Sequence, residues 1–124
     1  MRIDVVLVEY PPAVCGPLHA RLALEPDLRV IGEAGDGPTA VHLAQTLAPH
    51  VILVDAEMPQ LDVRDTVRAI RQQSPSTAVV ILSLHASAVR QKLGAEPALV
   101  VGKHEGIAPM LAAIRHAASQ ARGG

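Results

Sequence analysis

Acidic, hydroxyl and amino side chains follow the short apolar runs of this sequence. The residues concerned are Glu9, Tyr10, Asp55, Glu57, Ser83 and Lys103. Carboxylates can ligate a hard cation, whereas an ammonium group and a hydroxyl can bind anionic oxygen. Whether these groups act together depends on whether the fold gathers them at one place.

The elements that must position these residues alternate along the chain. Apolar, β-branched runs predict strands at Ile3 to Val8, Leu28 to Gly32, Val51 to Val54, Ala78 to Leu82 and Leu99 to Val101. Helical spacing of apolar residues falls between and after them, at 14–22, 40–47, 63–70 and 107–118. Residues 86–93 predict a fourth helix of only about 12 Å at 1.5 Å per residue. Strands interleaved with helices indicate an α/β fold with a parallel sheet, because parallel neighbours need crossover connections.

The carboxyl ends of the predicted strands carry the polar residues. In open α/β sheets ligands bind beyond these ends, where the strand order reverses. We therefore expect the carboxylates, the Ser83 hydroxyl and the Lys103 ammonium group to surround one crevice. No glycine-rich phosphate loop follows the first strand, where PPAVCGP stands instead.

Composition limits the function classes. The chain has 124 residues, which suits one domain, and its net charge of −1 offers no basic patch for nucleic acid. Cys15 is the only cysteine, and no charged and then apolar leader opens the sequence, so we expect a cytoplasmic location. No apolar run approaches the roughly 20 residues of a membrane helix.

Longer segments carry a resemblance to a known family. VDAEMP ends the third strand, and RVIGEAGDGPTAVHLAQTLAPHVILVD covers the second strand to the third. VVILS and VVGKHEGIAPMLAAIRHA cover the fourth strand, the fifth strand and the last helix. With these motifs the sequence resembles the receiver domain of bacterial two-component response regulators, most closely the NarL/LuxR-type subgroup, over essentially the whole chain.

The resemblance implies a fold and a domain organisation. The fold is a flavodoxin-like (βα)5 three-layer sandwich, with a parallel five-stranded sheet of order 2-1-3-4-5 and a short fourth helix. Residues 1–124 form a single receiver domain, and a C-terminal output domain is expected outside this chain. The domain is not expected to be an enzyme. Its expected partners are a sensor histidine kinase or another signalling protein and a second copy of itself, with no direct contact to nucleic acid or membrane.

The resemblance also implies roles for site residues. Asp55 is the phosphoacceptor, Lys103 pairs with the phosphoryl oxygens, and Ser83 supplies the switch hydroxyl. Glu9, Asp55 and Glu57 are the candidate ligands of Mg²⁺. Tyr10 stands where the family has a second acid, and a neutral phenol is a poor ligand of this hard cation, so the metal site is expected to be weakened.

Further departures predict an atypical receiver. Val100 replaces the aromatic residue that usually moves behind the switch hydroxyl, and Leu84 replaces the small residue after that hydroxyl. Val63 stands where a glycine usually closes the preceding loop. The surface formed by the fourth helix, the fifth strand and the last helix is therefore expected to be remodelled.

Simpler interpretations stand beside these roles. Asp55 could cap the following loop, Ser83 could bond only to local backbone, and Lys103 is expected to form a salt bridge with Asp55 even in an inactive receiver. Tyr10 could plug the metal pocket through a hydrogen bond to Asp55 or Glu57, stack on a neighbouring proline, or contact a ligand.

At the level of function, the domain works through phosphorylation or as a phosphorylation-independent interaction module. One alternative is a pseudo-receiver that senses a small molecule near Tyr10 and Asp55. An unrelated enzyme of flavodoxin-like topology is a second alternative, and it lacks support in the motifs.

Overall fold

The computed structural model describes residues 2–9 and 15–123 of the chain. Within them the strands are β1 Ile3–Val8, β2 Leu28–Ala34, β3 Val51–Asp55, β4 Ala78–Ser83 and β5 Leu99–Gly102. The helices are α1 Cys15–Ala23, α2 Gly37–Leu47, α3 Val63–Gln73, α4 Ala86–Leu93 and α5 Ile107–Gly123. A 3₁₀ turn at Lys103–Glu105 separates β5 from α5.

The strands form one parallel sheet in the order β2-β1-β3-β4-β5, as predicted. The strand order reverses between β1 and β3, which places the expected crevice beyond the ends of these two neighbours. Asp55 and Ser83 are the last residues of β3 and β4 rather than the first residues after them. In β2 the pairing of Val8 with Ala34 carries the strand two residues beyond its predicted end at Gly32.

The sheet has a separate aliphatic layer on each face, because successive strand residues point to opposite sides. Val5 and Leu7 pack in the cluster that includes Leu22 of α1 and Ile114 of α5. The other cluster holds alternate residues of the same strands together with residues of α2, α3 and α4. The predicted three-layer sandwich is confirmed, and it buries the sheet on both faces while leaving the strand ends open.

Aspartate side chains cap the first turns of helices α2 and α3. Asp36 accepts a hydrogen bond from the Thr39 amide at the start of α2, and Asp62 caps α3 at the Asp65 amide. Helix α4 has eight residues, which confirms the predicted short helix. Among the residues described, no helix is long and apolar enough to span a membrane.

Candidate functional site

The carboxyl ends of β3, β4 and β5 bring three predicted site residues together. Asp55 ends β3, Ser83 ends β4, and Lys103 directly follows β5. The pairing of Asp55 with Leu82 and of Ser83 with Gly102 holds the three strand ends side by side. The sheet therefore gathers a carboxylate, a hydroxyl and an ammonium group at one edge.

The Lys103 ammonium group lies between two carboxylates. Its Nζ is 2.7 Å from Asp55 Oδ1 and 3.2 Å from Glu57 Oε1, so the predicted salt bridge with Asp55 is present. Burial would lower the Lys103 pKa, but hydrogen bonds to Asp55 and Glu57, together with their charges, raise that pKa above its ordinary value. Lys103 thus stays protonated and holds both acids at this edge of the sheet.

Glu57 accepts bonds from three donors that belong to three different residues. The Ser83 hydroxyl donates to Glu57 Oε2 at 2.9 Å, and the Leu84 amide nitrogen lies 2.7 Å from Oε1. The Lys103 ammonium group is the third donor. Burial would raise the Glu57 pKa, yet the bonds from Leu84, Ser83 and Lys103 outweigh burial and lower that pKa. From sequence Glu57 was expected only as a candidate Mg²⁺ ligand or a partner of Tyr10, and this set of bonds was not predicted.

Ser83 combines the two interpretations that the sequence left open. Its side chain is fully buried, and its Oγ accepts a hydrogen bond from the His85 amide nitrogen at 2.8 Å. The same hydroxyl donates its one proton to Glu57. Ser83 therefore bonds to local backbone and also faces the site.

One oxygen of Asp55 makes both contacts that the sequence predicted, the loop cap and the salt bridge. Its Oδ1 accepts a hydrogen bond from the Glu57 amide nitrogen at 2.8 Å, which is the loop cap that a strand-end aspartate often makes. The same Oδ1 pairs with Lys103. Both contacts hold the Asp55 carboxylate in a fixed orientation.

Glu9 stands on the other side of Asp55, directly after β1. Its residue is 8% exposed, and its backbone nitrogen bonds to the Ala34 carbonyl at 3.0 Å. Burial raises the Glu9 pKa, and the charge of Asp55 raises it further, whereas Lys103 acts in the opposite direction. Tyr10 lies outside the described residues, so its three interpretations stay predictions.

In this arrangement the acids that the structure describes are not grouped as a Mg²⁺ site. Among the described residues no group of three or more His, Cys, Asp or Glu side chains is placed to hold a metal ion. The Lys103 ammonium group stands between Asp55 and Glu57, where it supplies the positive charge that both carboxylates need. The roles of Glu9, Asp55 and Glu57 as a metal set therefore stay a prediction.

The residues that depart from the family pattern take up ordinary structural positions. Leu84 is 56% exposed, and Val63 is buried at the start of α3. Val100 packs at the edge of the core, and its carbonyl accepts a hydrogen bond from Arg90 of α4 at 3.0 Å. Helix α4 is thus tied to β5 by an arginine at the surface that was expected to be remodelled.

Comparisons with known proteins agree with this geometry. A family model described as the response regulator receiver domain matches residues 5–115. The chain is similar to protein-glutamate methylesterase/protein-glutamine glutaminase 3 of Myxococcus xanthus, with 39% identity over 94 residues, or 76% of this chain. That match spans only 25% of the relative.

Two solved structures are similar over nearly their whole length. The response regulator domain of Thermotoga maritima CheB is 29% identical, with a TM-score of 0.81, and the match covers 96% of this chain and 98% of that one. The signal receiver domain of the putative response regulator NarL from Mycobacterium tuberculosis is 25% identical, with a TM-score of 0.79 and coverage of 99% and 98%.

Proposed function

Because this chain belongs to the receiver domain family of response regulators, we propose that it accepts a phosphoryl group at Asp55. The family match confirms the resemblance to receivers that the sequence predicted, and regulators of NarL/LuxR type are among the similar proteins. The observation that carries the proposal is the convergence of Lys103 and Ser83 beside Asp55, with Lys103 Nζ in contact with Asp55 Oδ1. An ammonium group and a hydroxyl are suited to bind the oxygens of a phosphorylated aspartate.

The proposed reaction is a phosphoryl transfer to a carboxylate. An Asp55 oxygen forms the new bond to phosphorus, and the bond from phosphorus to the donor breaks. With a phosphohistidine of a sensor kinase as donor, the electron pair stays on the imidazole nitrogen, which then takes a proton from water. Lys103 stabilises the charge on the transferring oxygens. Receivers typically use Mg²⁺ at their acidic site, but the described acids are not grouped to hold the ion, so the proposed charge stabilisation rests on Lys103.

The proposed output is a population shift rather than catalysis. When Ser83 and Lys103 change partner, the ends of β4 and β5 change with them, and α4 and α5 follow. The Val100 and Leu84 departures support an atypical receiver whose switch does not use an aromatic ring. The methylesterase and glutaminase activities named for the Myxococcus relative are not transferred, since the match spans a quarter of that protein.

The binding partners of the domain are also proposed. A sensor histidine kinase fits the phosphoryl donor, and homodimerisation stays a prediction, as do a C-terminal output domain and a cytoplasmic location. A phosphorylation-independent role would use the same β4 to α5 surface, with a partner protein in place of the phosphoryl group.

The test is intact mass after incubation with acetyl phosphate, with and without Mg²⁺, beside an Asp55→Asn variant and a complete receiver. We expect this chain to gain one phosphoryl group and the variant to gain none. No gain, with the complete receiver fully modified, would contradict phosphorylation from small donors. A gain that depends on Mg²⁺ would show that the acids rearrange to admit the ion.

The ligand-sensing alternative stays a prediction. A depression of about 670 Å³ opens beside the site, and its lining includes Glu57, Ser83 and Lys92. Asp55 is not among its lining residues in the described part of the chain. Stabilisation by a metabolite without Mg²⁺ would favour this alternative.

A further inference from the structure

Glu57 fills an anion-binding site made by three donors of other residues. The Ser83 hydroxyl, the Leu84 amide and the Lys103 ammonium group all point at its carboxylate, at distances of 2.9, 2.7 and 3.2 Å. A hydroxyl, a backbone amide and a lysine at the end of parallel strands form a site suited to anionic oxygen. The Glu57 carboxylate therefore occupies the position that an anionic ligand would take at these three donors.

The Ser83 hydroxyl and the Leu84 amide each have one proton to donate, so one anion at a time can accept both. Ser83 has one hydroxyl proton, and Leu84 has one amide proton, and both protons go to Glu57. Ser83 cannot donate to another acceptor and keep this bond, because its hydroxyl has a single proton. Any other anion that uses these two donors must first displace the Glu57 carboxylate.

We propose that Glu57 is an internal, displaceable occupant of the site that binds the phosphoryl group of phosphorylated Asp55. This inference rests on the proposed function, because it names the regulation of the same site. In the unphosphorylated domain Glu57 holds Ser83, Leu84 and Lys103 in place. Phosphorylation at Asp55 must release Glu57 toward solvent, which its position on a partly exposed loop allows, since 29% of its side-chain surface is accessible.

The proposal predicts that Glu57 slows phosphorylation. We expect Glu57→Ala to gain the phosphoryl group from acetyl phosphate about tenfold faster than the natural chain, because three bonds no longer have to be exchanged. Glu57→Gln should lie in between, since a neutral amide keeps one acceptor oxygen but loses the other and the charge attraction to Lys103. Asp65→Asn is the matched control, because Asp65 is an exposed acid that lines the same depression. It should leave the rate unchanged.

Rates that are equal in the natural chain and Glu57→Ala, or a slower variant, would overturn the proposal and leave the proposed function intact. If none of the proteins is phosphorylated, phosphorylation of Asp55 from small donors is contradicted, and anion binding alone decides the inference. The measurement is then the Leu84 amide resonance during titration with inorganic phosphate. Half-saturation at a severalfold lower phosphate concentration in Glu57→Ala would support the inference, and equal concentrations would overturn it.

Discussion

Two glutamates flank Asp55, and their pKa values are shifted in opposite directions on the two sides of the site. On the β1 side Glu9 is 8% exposed, and burial and the charge of Asp55 raise its pKa. On the β4 and β5 side Glu57 accepts bonds from a hydroxyl, an amide and an ammonium group, and its pKa is lowered. Asp55 contributes to the raised pKa of Glu9, whereas the lowered pKa of Glu57 comes from its bonds to Leu84, Ser83 and Lys103.

The groups that raise or lower the pKa of each acid account for the contrast. The ends of β4 and β5 present Ser83, the Leu84 amide and Lys103, which favour the charged form of a carboxylate. At the end of β1, burial and the charge of Asp55 disfavour that form and outweigh the attraction of Lys103. The β4 and β5 side is thus ready to bind anionic oxygen, whereas on the β1 side burial and the charge of Asp55 favour the protonated acid.

Of the changes that test the contrast between Glu9 and Glu57, removing Lys103 should have the largest effect on stability. In Lys103→Ala, Asp55 and Glu57 lose the cation between them, so we expect the free energy of unfolding at pH 7 to fall by about 1–3 kcal/mol. Because the folded-state pKa of Lys103 is raised, its contribution is complete below its ordinary value of 10.5 and is lost as the pH rises through the folded value. Urea unfolding at several pH values measures this effect.

The control for this change is Lys92→Ala. Lys92 is an exposed lysine of α4 that lines the neighbouring depression. Its removal should alter the free energy of unfolding by less than about 0.5 kcal/mol. Equal losses in the two variants would show that the charges around Asp55 contribute nothing specific to stability.

Neutralising Glu57 should have the next largest effect. We expect Glu57→Gln to lose about 1 kcal/mol of unfolding free energy at pH 7, at the low end for bonds to a charged group because the carboxylate is partly exposed. Since the folded-state pKa of Glu57 is lowered, its contribution is present above its ordinary value of 4.5 and is lost as the pH falls through the folded value.

Thermal or urea unfolding over a pH series tests this dependence. The stability curves of the natural chain and Glu57→Gln should converge as the pH falls below 4.5. The exposed-acid variant Asp65→Asn serves as the reference for a change of charge alone. A constant difference between the curves at all pH values would rule out the ionised Glu57 as the cause.

The sequence predicted the fold and part of this site. The buried run of β3 and the alternation of strands and helices depend on the hydrophobic pattern, which is local and periodic, so every strand end was predicted within two residues. The Asp55–Lys103 salt bridge followed from the family resemblance and from the need to pair a partly buried carboxylate.

The role of Glu57 could not be predicted in the same way. Its bonds to Ser83 and Leu84 join residues 26 and 27 positions apart, and they depend on the course of the loop after β3. In that loop Gln60 has a φ of 61°, a conformation that is uncommon for residues other than glycine. Nothing in the residue type of Gln60 indicates this turn.

Neutralising Glu9 should give the smallest effect and the opposite sign. Because the folded-state pKa of Glu9 is raised, its contribution to stability is present below its ordinary value of 4.5 and is lost as the pH rises through the folded value. Glu9→Gln removes that loss, so we expect a gain of about 0.5 kcal/mol in unfolding free energy at pH 7. The gain should disappear at acidic pH, where Glu9 is itself neutral. Urea unfolding at pH 7 and below 4.5 measures both values, with Asp65→Asn again as the exposed-acid reference. A loss of stability at pH 7 would mean that the Glu9 carboxylate is needed in its charged form, and the two sides of Asp55 would then be alike.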